Sequence, residues 1–148
     1  MRQRNIAALG LALVLLAGCA STSALGVRAA NSPPAAQQQV GASLTALPPN
    51  IGVSEAAALR DAGAFMLDVR EPFEWDEYHM PGATLIPLGT LPSRLNEVPR
   101  DRPIVVVCRS GNRSQVGRDI LLRAGFNAVT SMDGGMRAWR NAGLPVTQ

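Results

Sequence analysis

Residues 104–114 read Ile-Val-Val-Val-Cys-Arg-Ser-Gly-Asn-Arg-Ser and carry the strongest structural signal in the chain. The first four are β-branched and apolar with no polar alternation, which predicts a parallel strand covered on both faces. Apolar residues at helical spacing follow from Ser114 to Ala124, with Ser114 as the expected N-cap and Gly125 as the expected stop. The sequence therefore predicts a buried strand, a short loop and a helix, with Cys108 where the strand ends.

This loop has the features that make a cysteine reactive. In such a turn the loop amides converge on the end of the strand, and the helix dipole adds partial positive charge there. Both effects favour a thiolate at Cys108, as do the charges of Arg109 and Arg113. The alternative is a small buried hydrophobic side chain, the usual role of a free cysteine. We expect an anion-binding cradle around the sulfur, formed by Arg109, Ser110, Gly111, Asn112, Arg113 and Ser114.

The remainder of the domain repeats the alternation of strand and helix. Such alternation is typical of an open parallel α/β sheet surrounded by helices in a single domain. Ligands of such sheets lie beyond the carboxyl ends of the strands, where Asp68 and Cys108 both fall. Trp139 and Phe126 are expected in the core. Further strands are predicted at 65–67, 83–86 and 128–131, and helices from Ser54, from Pro72, over 91–98 and after Gly134-Gly135.

The first fifty residues predict an export signal and a tether. Arg2 and Arg4 precede an uncharged apolar run over 6–18, which is shorter than the about 20 residues that a membrane-spanning helix needs. Small residues before Cys19 resemble a bacterial lipobox, in which the cysteine is lipidated; the alternative is an ordinary cleaved signal. We expect an exported, lipid-anchored protein of the cell envelope. Its predicted parts are a signal peptide (1–18), lipidated Cys19 with a disordered Ala/Ser/Gln/Pro-rich tether (19–50) and a folded domain (51–148).

The net charge of +3 does not indicate a nucleic-acid partner. All 11 acidic residues lie within 51–148 with 11 of the 14 arginines, so the excess comes from Arg2, Arg4 and Arg28. Cys108 has no C-x-x-C partner, and one histidine with one free cysteine cannot form a structural zinc site. We therefore expect neither nucleic acid nor a metal.

Four segments resemble those of the single-domain rhodaneses, a family of sulfurtransferases, across nearly all of 51–148. Many members have glycine where this chain has Tyr78, a departure that affects a turn and leaves the cysteine loop intact. The resemblance implies a parallel sheet wrapped by helices, with the cysteine as persulfide carrier. The matching segments are Leu67–Glu74 with Trp75, His79–Ala83, Cys108–Ser114, and Met132–Gly135 with Trp139, Gly143, Leu144 and Pro145.

Under this resemblance the Cys108 thiolate attacks the outer sulfur of a small anionic donor such as thiosulfate, releases sulfite and keeps a persulfide. The loop amides would hold the anionic sulfur, and a thiol or cyanide would then accept it. Arg109 is expected to attract the donor, the alternative being a solvated loop charge. No cofactor is implied. The implied partners are the donor, the acceptor and, through Cys19, a membrane.

Four other residues are expected to support the site. Arg113 either neutralises the donor or, by preference, pairs with Asp68 and braces the loop, because a buried carboxylate needs a partner. Asp68 is expected to organise the loop and not to act as a general acid or base. Arg70 is either a further donor contact or a surface ion pair. His79, the only histidine, is expected to make a structural hydrogen bond.

Two other functions compete with sulfur transfer. A phosphatase or arsenate reductase places cysteine and arginine around a phosphate-sized anion, but loops of that design enclose one residue more than the four between Cys108 and Arg113. The smaller ring of amides suits a sulfur atom better. The second competitor is a rhodanese-fold module that carries sulfur or binds a partner without turnover, which a thiol alone does not exclude.

Overall fold

The structure is a computed structural model and describes residues 45–148. Its strands are β1 (Asn50–Ile51), β2 (Phe65–Asp68), β3 (Thr84–Leu85), β4 (Ile104–Val107) and β5 (Val129–Met132). Within the described range they form one parallel sheet in the order β1-β5-β4-β2-β3, so β4 lies at the centre. The predicted open parallel α/β sheet is confirmed. The predicted signal peptide, Cys19 and the tether up to residue 44 lie outside the described residues.

Helices connect the strands as crossovers. None of those between residues 45 and 148 has the length and apolar character that crossing a membrane requires. The helix α3 packs against β4 and β5, whereas α1 and α4 contact one another. The helices are α1 (Val53–Asp61), α2 (Pro72–Glu77), α3 (Asn112–Arg123) and α4 (Gly135–Asn141), with 3-10 turns at Leu91–Ser93 and Leu95–Glu97.

All four residues of β4 are buried because the sheet is covered on both faces. Val106 belongs to one hydrophobic cluster with Leu67 and Leu121. Val105 belongs to a second cluster, which contains Trp139. Successive side chains of a strand point to opposite faces, and each such burial contributes about 1.5–3 kcal/mol. The unbroken apolar run therefore reflects a strand that has no solvent-facing side; Trp139 and Phe126 are both in the core, as predicted.

Gly117 lets α3 lie unusually close to the sheet. A Cβ atom at this position would lie 3.1 Å from Val106 Cγ1 and 3.3 Å from Val69 Cγ1, which is tighter than ordinary packing. A glycine inside a helix costs roughly 0.5–1 kcal/mol relative to alanine. The close approach at Gly117 holds α3 against the sheet, so that its first turn lies next to the end of β4, where Cys108 lies.

The helix predicted over 91–98 is wrong, because the segment folds as two 3-10 turns. Pro92 lacks an amide hydrogen, and the bonds that form join residues three apart, such as the Arg94 amide to the Leu91 carbonyl at 3.0 Å. Val98 is extended because Pro99 follows it, so no α-helical turn can form at that end. Leu91 is nevertheless buried in the core.

The helix after the cysteine loop begins at Asn112, two residues before Ser114, which corrects the predicted N-cap. Gly111 occupies the N-cap position with φ at 101°, a left-handed conformation that glycine adopts without strain. Ser114 instead donates its hydroxyl hydrogen to the Gly111 carbonyl at 2.9 Å. The helix predicted from Ser54 likewise begins earlier, at Val53, so that Ser54 is the second residue of α1.

The hydroxyl group of Thr130 is an unpaired polar group in the core. Its Oγ1 is buried on β5 and has no hydrogen-bond partner among the described residues. We expect Thr130→Val to raise the free energy of unfolding by about 1 kcal/mol, because an unpaired buried hydroxyl is replaced by a methyl group of similar size. Urea unfolding monitored by tryptophan fluorescence measures the change. Ser131→Ala removes a hydroxyl that is hydrogen-bonded and should have the opposite sign; a Thr130→Val variant no more stable than the parent would contradict the prediction.

Candidate active site

The candidate site lies at the carboxyl edge of β2 and β4. Cys108 directly follows β4, and Asp68 is the last residue of β2. The two strands pair in register at Asp68 and Val107, so the two ends are adjacent in the sheet. This is the edge at which open parallel sheets bind their ligands.

Cys108 is buried, with 1% of its surface exposed, and is not disulfide-bonded. Its Sγ accepts a hydrogen bond from the Gly111 amide at 3.1 Å, and its S–H group points at Ser114 Oγ at 3.6 Å. An amide directed at a sulfur atom stabilises negative charge on it. The loop therefore directs at least one fixed hydrogen-bond donor at the Cys108 sulfur.

A second hydroxyl, that of Ser131 on β5, holds Ser114 in place. Ser131 Oγ donates to Ser114 Oγ at 2.8 Å, while Ser114 donates its own hydrogen to the Gly111 carbonyl. Ser114 Oγ thus accepts from both Ser131 and the Cys108 thiol.

The first turn of α4 supports the loop from behind. The Met136 amide donates to the Cys108 carbonyl at 2.7 Å, and the Arg137 amide donates to the Arg109 carbonyl at 3.1 Å. These carbonyl oxygens therefore face α4. A Cβ atom at Gly135 would overlap the Cys108 carbonyl oxygen and lie 2.7 Å from the Arg109 carbonyl carbon, so no larger residue fits. The close approach explains why the Gly134-Gly135 pair precedes this helix.

Asp68 and Arg70 form a fully buried ion pair. Arg70 donates through Nε to both Asp68 oxygens, at 3.0 and 2.8 Å, and its Nη2 lies 2.7 Å from Oδ2. Its Nη1 and Nη2 donate to the carbonyls of Glu74 and Tyr78, respectively, each at 2.9 Å. Arg70 is only 1% exposed, so the predicted alternative of a surface ion pair is wrong, while the donor contact stays a prediction. The pair fixes α2 to the end of β2.

Arg113 pairs with Glu74 and not with Asp68, which corrects the predicted brace. Its two terminal nitrogens each lie 2.7 Å from a different Glu74 oxygen, a bidentate geometry. Asp68 is unavailable because Arg70 already occupies both of its oxygens. The brace therefore joins α3 to α2 across the cysteine loop.

The other predicted loop residues are divided between solvent and the interior. Arg109, Ser110 and Asn112 are exposed, whereas Gly111 and Ser114 are buried under the sulfur. Arg109 lines a polar cavity beside the loop together with Arg137 and other residues of α2 and α4. Arg109 thus presents its positive charge to solvent next to the cysteine loop.

His79 takes no part in this arrangement. Its ring stacks on Trp75 with centroids 3.8 Å apart, and its Nδ1 lies 3.1 Å from the Trp75 carbonyl oxygen. Its backbone pairs with Thr147. Between residues 45 and 148, no three Cys, His, Asp or Glu side chains are grouped so as to hold a metal ion.

Comparison with known protein families identifies the family to which this site belongs. The family model for the rhodanese-like domain matches residues 53–142. The chain belongs to the rhodanese-like domain family. The cysteine loop, the Asp68–Arg70 pair and the Gly134-Gly135 turn all fall inside the matched range.

Named relatives of this rhodanese-like domain include sulfurtransferases. It is 38% identical over 86 residues to the thiosulfate sulfurtransferase GlpE of Pseudomonas syringae, covering 58% of this chain and 81% of that protein. It is 37% identical over 81 residues to a sulfurtransferase of Allochromatium vinosum, covering 55% and 76%. The crystal structure of a rhodanese-related protein from Thermoplasma volcanium superposes with a TM-score of 0.63 at 30% identity, covering 68% of this chain and 98% of the other.

Two features of this rhodanese-like domain were not predicted from the sequence. Ser131 had one available signal, since it is a polar residue at the carboxyl end of a buried strand, adjacent to the strand that precedes Cys108. Glu74 had no comparable signal, because its partner Arg113 is 39 residues away in the chain.

The ion pair between Glu74 and Arg113 shifts the pKa values of both residues. The bidentate hydrogen bonds from Arg113 hold the pKa of Glu74 below its ordinary value of 4.5, and a hydrogen bond from the Glu71 amide adds to this against the opposing effect of burial. The same pair raises the pKa of Arg113 above its usual range. A carboxylate with a lowered pKa in the folded state stabilises the fold above its unfolded pKa and loses that contribution as the pH falls.

Because the pKa of Glu74 is lowered by Arg113, we expect the effect of removing this ion pair on stability to depend on pH. We expect Glu74→Gln to lower the free energy of unfolding by about 1–2 kcal/mol near neutral pH, because a charge-assisted bidentate pair is lost. The difference from the parent should shrink as the pH falls below 4.5, where Glu74 itself becomes protonated. Urea unfolding at several pH values measures it. Asp76→Asn, an exposed residue of the same helix, is the control; a pH-independent difference for Glu74→Gln would contradict the assignment.

Proposed function

We propose that this rhodanese-like domain transfers sulfane sulfur from an anionic donor to a thiophilic acceptor through a persulfide on Cys108. The observation that supports this most directly is the buried Cys108 Sγ with the Gly111 amide directed at it from 3.1 Å. Such a sulfur is stabilised as an anion both before and after it gains a second sulfur atom. The named relatives act in the same class of chemistry.

In the first half-reaction the Cys108 thiolate attacks the outer sulfur of thiosulfate or of a related sulfane donor. A bond forms between Sγ and that outer sulfur, and the bond between the two donor sulfurs breaks. Sulfite leaves with the bonding electron pair, and the enzyme retains a negatively charged persulfide. Arg109, exposed beside the nucleophile, attracts the anionic donor.

In the second half-reaction an acceptor removes the outer sulfur. Cyanide attacks it, the Cys108 sulfur–sulfur bond breaks, and thiocyanate leaves while the thiolate is restored. The loop backbone keeps the Gly111 amide directed at the sulfur throughout both half-reactions, because the carbonyls of Cys108 and Arg109 accept hydrogen bonds from amides of α4. No external oxidant or reductant is needed, since the sulfane sulfur is passed on unchanged in oxidation state.

The engagement of Arg113 disfavours phosphatase chemistry. A phosphate-binding arginine must direct its guanidinium at the anion, and both terminal nitrogens of Arg113 are bound to Glu74. The loop is also one residue shorter than the phosphate-binding design requires. Sulfur transfer therefore fits the loop better than phosphoryl transfer.

The persulfide is directly testable. The full chain carrying Cys19→Ser, in which Cys108 is the only thiol, should gain the mass of one sulfur atom on incubation with thiosulfate. Cyanide should remove that mass and release thiocyanate. Cys108→Ser in the same background should reduce both signals to background, because a serine hydroxyl is not ionised and forms no persulfide.

Thermal unfolding of the Cys108→Ser variant controls for its fold. Transfer that persists in this variant would overturn the mechanism. A stable mass gain without release to cyanide or thiols would instead support the carrier module, the second function that the sequence leaves open.

We also propose that the protein is exported and anchored to the cell envelope through a lipid on Cys19. The support is the sequence alone: basic residues, an apolar run over 6–18, and small residues before the cysteine. In a bacterium that grows on labelled palmitate, the full chain should take up label and sediment with membranes. Cys19→Ser should lose the label, and Cys108→Ser should keep it. Absence of label in the parent chain would indicate an ordinary cleaved signal.

A further inference from the structure

Ser131 is a fully buried polar residue on β5, and its side chain faces α3. It lies beside Val106 of β4 in the sheet. Val106 belongs to the hydrophobic cluster that also contains Cys108 and Leu121 of α3, so the hydroxyl group of Ser131 is placed next to an apolar layer. A hydroxyl group in such surroundings destabilises a fold unless it is hydrogen-bonded. Ser131 meets this condition by donating to Ser114 Oγ at 2.8 Å.

Three hydrogen bonds lead from Ser131 to the sulfur of Cys108. The first joins Ser131 to Ser114. In the second, Ser114 Oγ donates to the Gly111 carbonyl at 2.9 Å, and in the third the Gly111 amide donates to Cys108 Sγ at 3.1 Å. Ser131 is therefore linked to the sulfur through two intervening residues.

Gly111 is the member of this path that most needs an external restraint. Its φ is 101°, and glycine moves between positive and negative φ at little cost. The direction of its amide is therefore not fixed by a backbone preference of its own. The bond from Ser114 restrains the carbonyl side of Gly111, and Gln115 Nε2 adds a longer bond to the same oxygen at 3.3 Å. Ser114 in turn is held by Ser131, whose strand is paired into the sheet.

We propose that Ser131 is a positioning residue for sulfur transfer. It holds Ser114 in the orientation that keeps the Gly111 amide directed at the Cys108 sulfur. The inference rests on the proposed function. An amide donor stabilises a thiolate more than a thiol, because a hydrogen bond to a charged acceptor is the stronger one. Without the Ser131 hydroxyl group a higher pH is needed to ionise the sulfur, whereas the ionised sulfur loses none of its reactivity.

Charged groups surround Cys108 on the neighbouring elements. They are Arg109 in the loop, Arg113 on α3, Glu74 on α2, Arg137 on α4, Asp133 after β5 and the Asp68–Arg70 pair at the end of β2. Carboxylates ionise well below the pH at which a thiol does, and arginine stays protonated well above it. These groups therefore keep one charge state while the sulfur ionises, and a shift in the pH of ionisation reports on hydrogen bonding at the sulfur.

The test follows the alkylation of Cys108 by iodoacetamide between about pH 5 and about pH 10 in the full chain carrying Cys19→Ser, since the thiolate is the reactive form. We expect Ser131→Ala to raise the pH of half-maximal rate by about one unit, which corresponds to the loss of one hydrogen bond to the thiolate. The rate at the alkaline limit should not fall, because a more basic thiolate is at least as nucleophilic. Sulfur uptake from thiosulfate should slow about fivefold on the acidic side of this pH and recover on the alkaline side.

Two further variants separate this path from a general effect on the core. Thr130→Val changes the neighbouring buried hydroxyl of β5, which points to the other face of the sheet, and should leave the pH of half-maximal alkylation unchanged. Ser114→Ala should shift that pH at least as far as Ser131→Ala does. Adding Ser131→Ala to Ser114→Ala should give no further shift, because Ser131 acts through Ser114.

A rate that falls equally at every pH in Ser131→Ala would mean that the residue only supports the fold, and would overturn the proposal. An unchanged pH of half-maximal alkylation, or shifts that add in the double variant, would overturn it as well. Thermal unfolding shows that each variant is folded at the assay temperature. Alkylation needs no sulfur donor, so the two proposals fail separately: a parent chain that shows the alkylation shift but gains no sulfur from thiosulfate would refute the proposed function alone.

Discussion

The buried ion pair between Asp68 and Arg70 is the interaction on which the rest of the site depends. Two opposite charges taken out of water are stable only when every donor and acceptor is satisfied, and here Arg70 uses its hydrogens on Asp68 and on two carbonyls of the α2 segment. The pair therefore positions α2, and α2 in turn presents Glu74 to Arg113. The end of β2 thus helps to orient α3, the helix that follows β4, through the pair between Glu74 and Arg113.

Support from α4 completes this arrangement from the opposite side of the loop. Amides of its first turn bind the carbonyls of Cys108 and Arg109, and Gly135 allows the approach. The loop that carries the sulfur is consequently held between α3 and α4. Preorganised donors of this kind cost no rearrangement when charge develops on the reacting atom.

The sequence predicted the sheet and the cysteine loop because both follow from local patterns. An unbroken apolar run identified β4, and the residue pattern after it located the loop between this strand and the next helix. The predicted partner of Arg113 was wrong because an ion pair depends on which helices pack together in the fold. Asp68 was already paired with Arg70, and α2 brought Glu74 to Arg113 instead. The helix over 91–98 was wrong because Pro92 and Pro99 act on the backbone more strongly than apolar spacing does.

Every cation near the sulfur is an arginine, and the histidine of the domain is stacked elsewhere on Trp75. An arginine stays protonated throughout the physiological range, whereas lysine and histidine adjust their charge to their surroundings. The positive field at Cys108 is thus a permanent property of the fold. Changes of acidity in the surrounding compartment therefore leave the charge of these arginines unchanged.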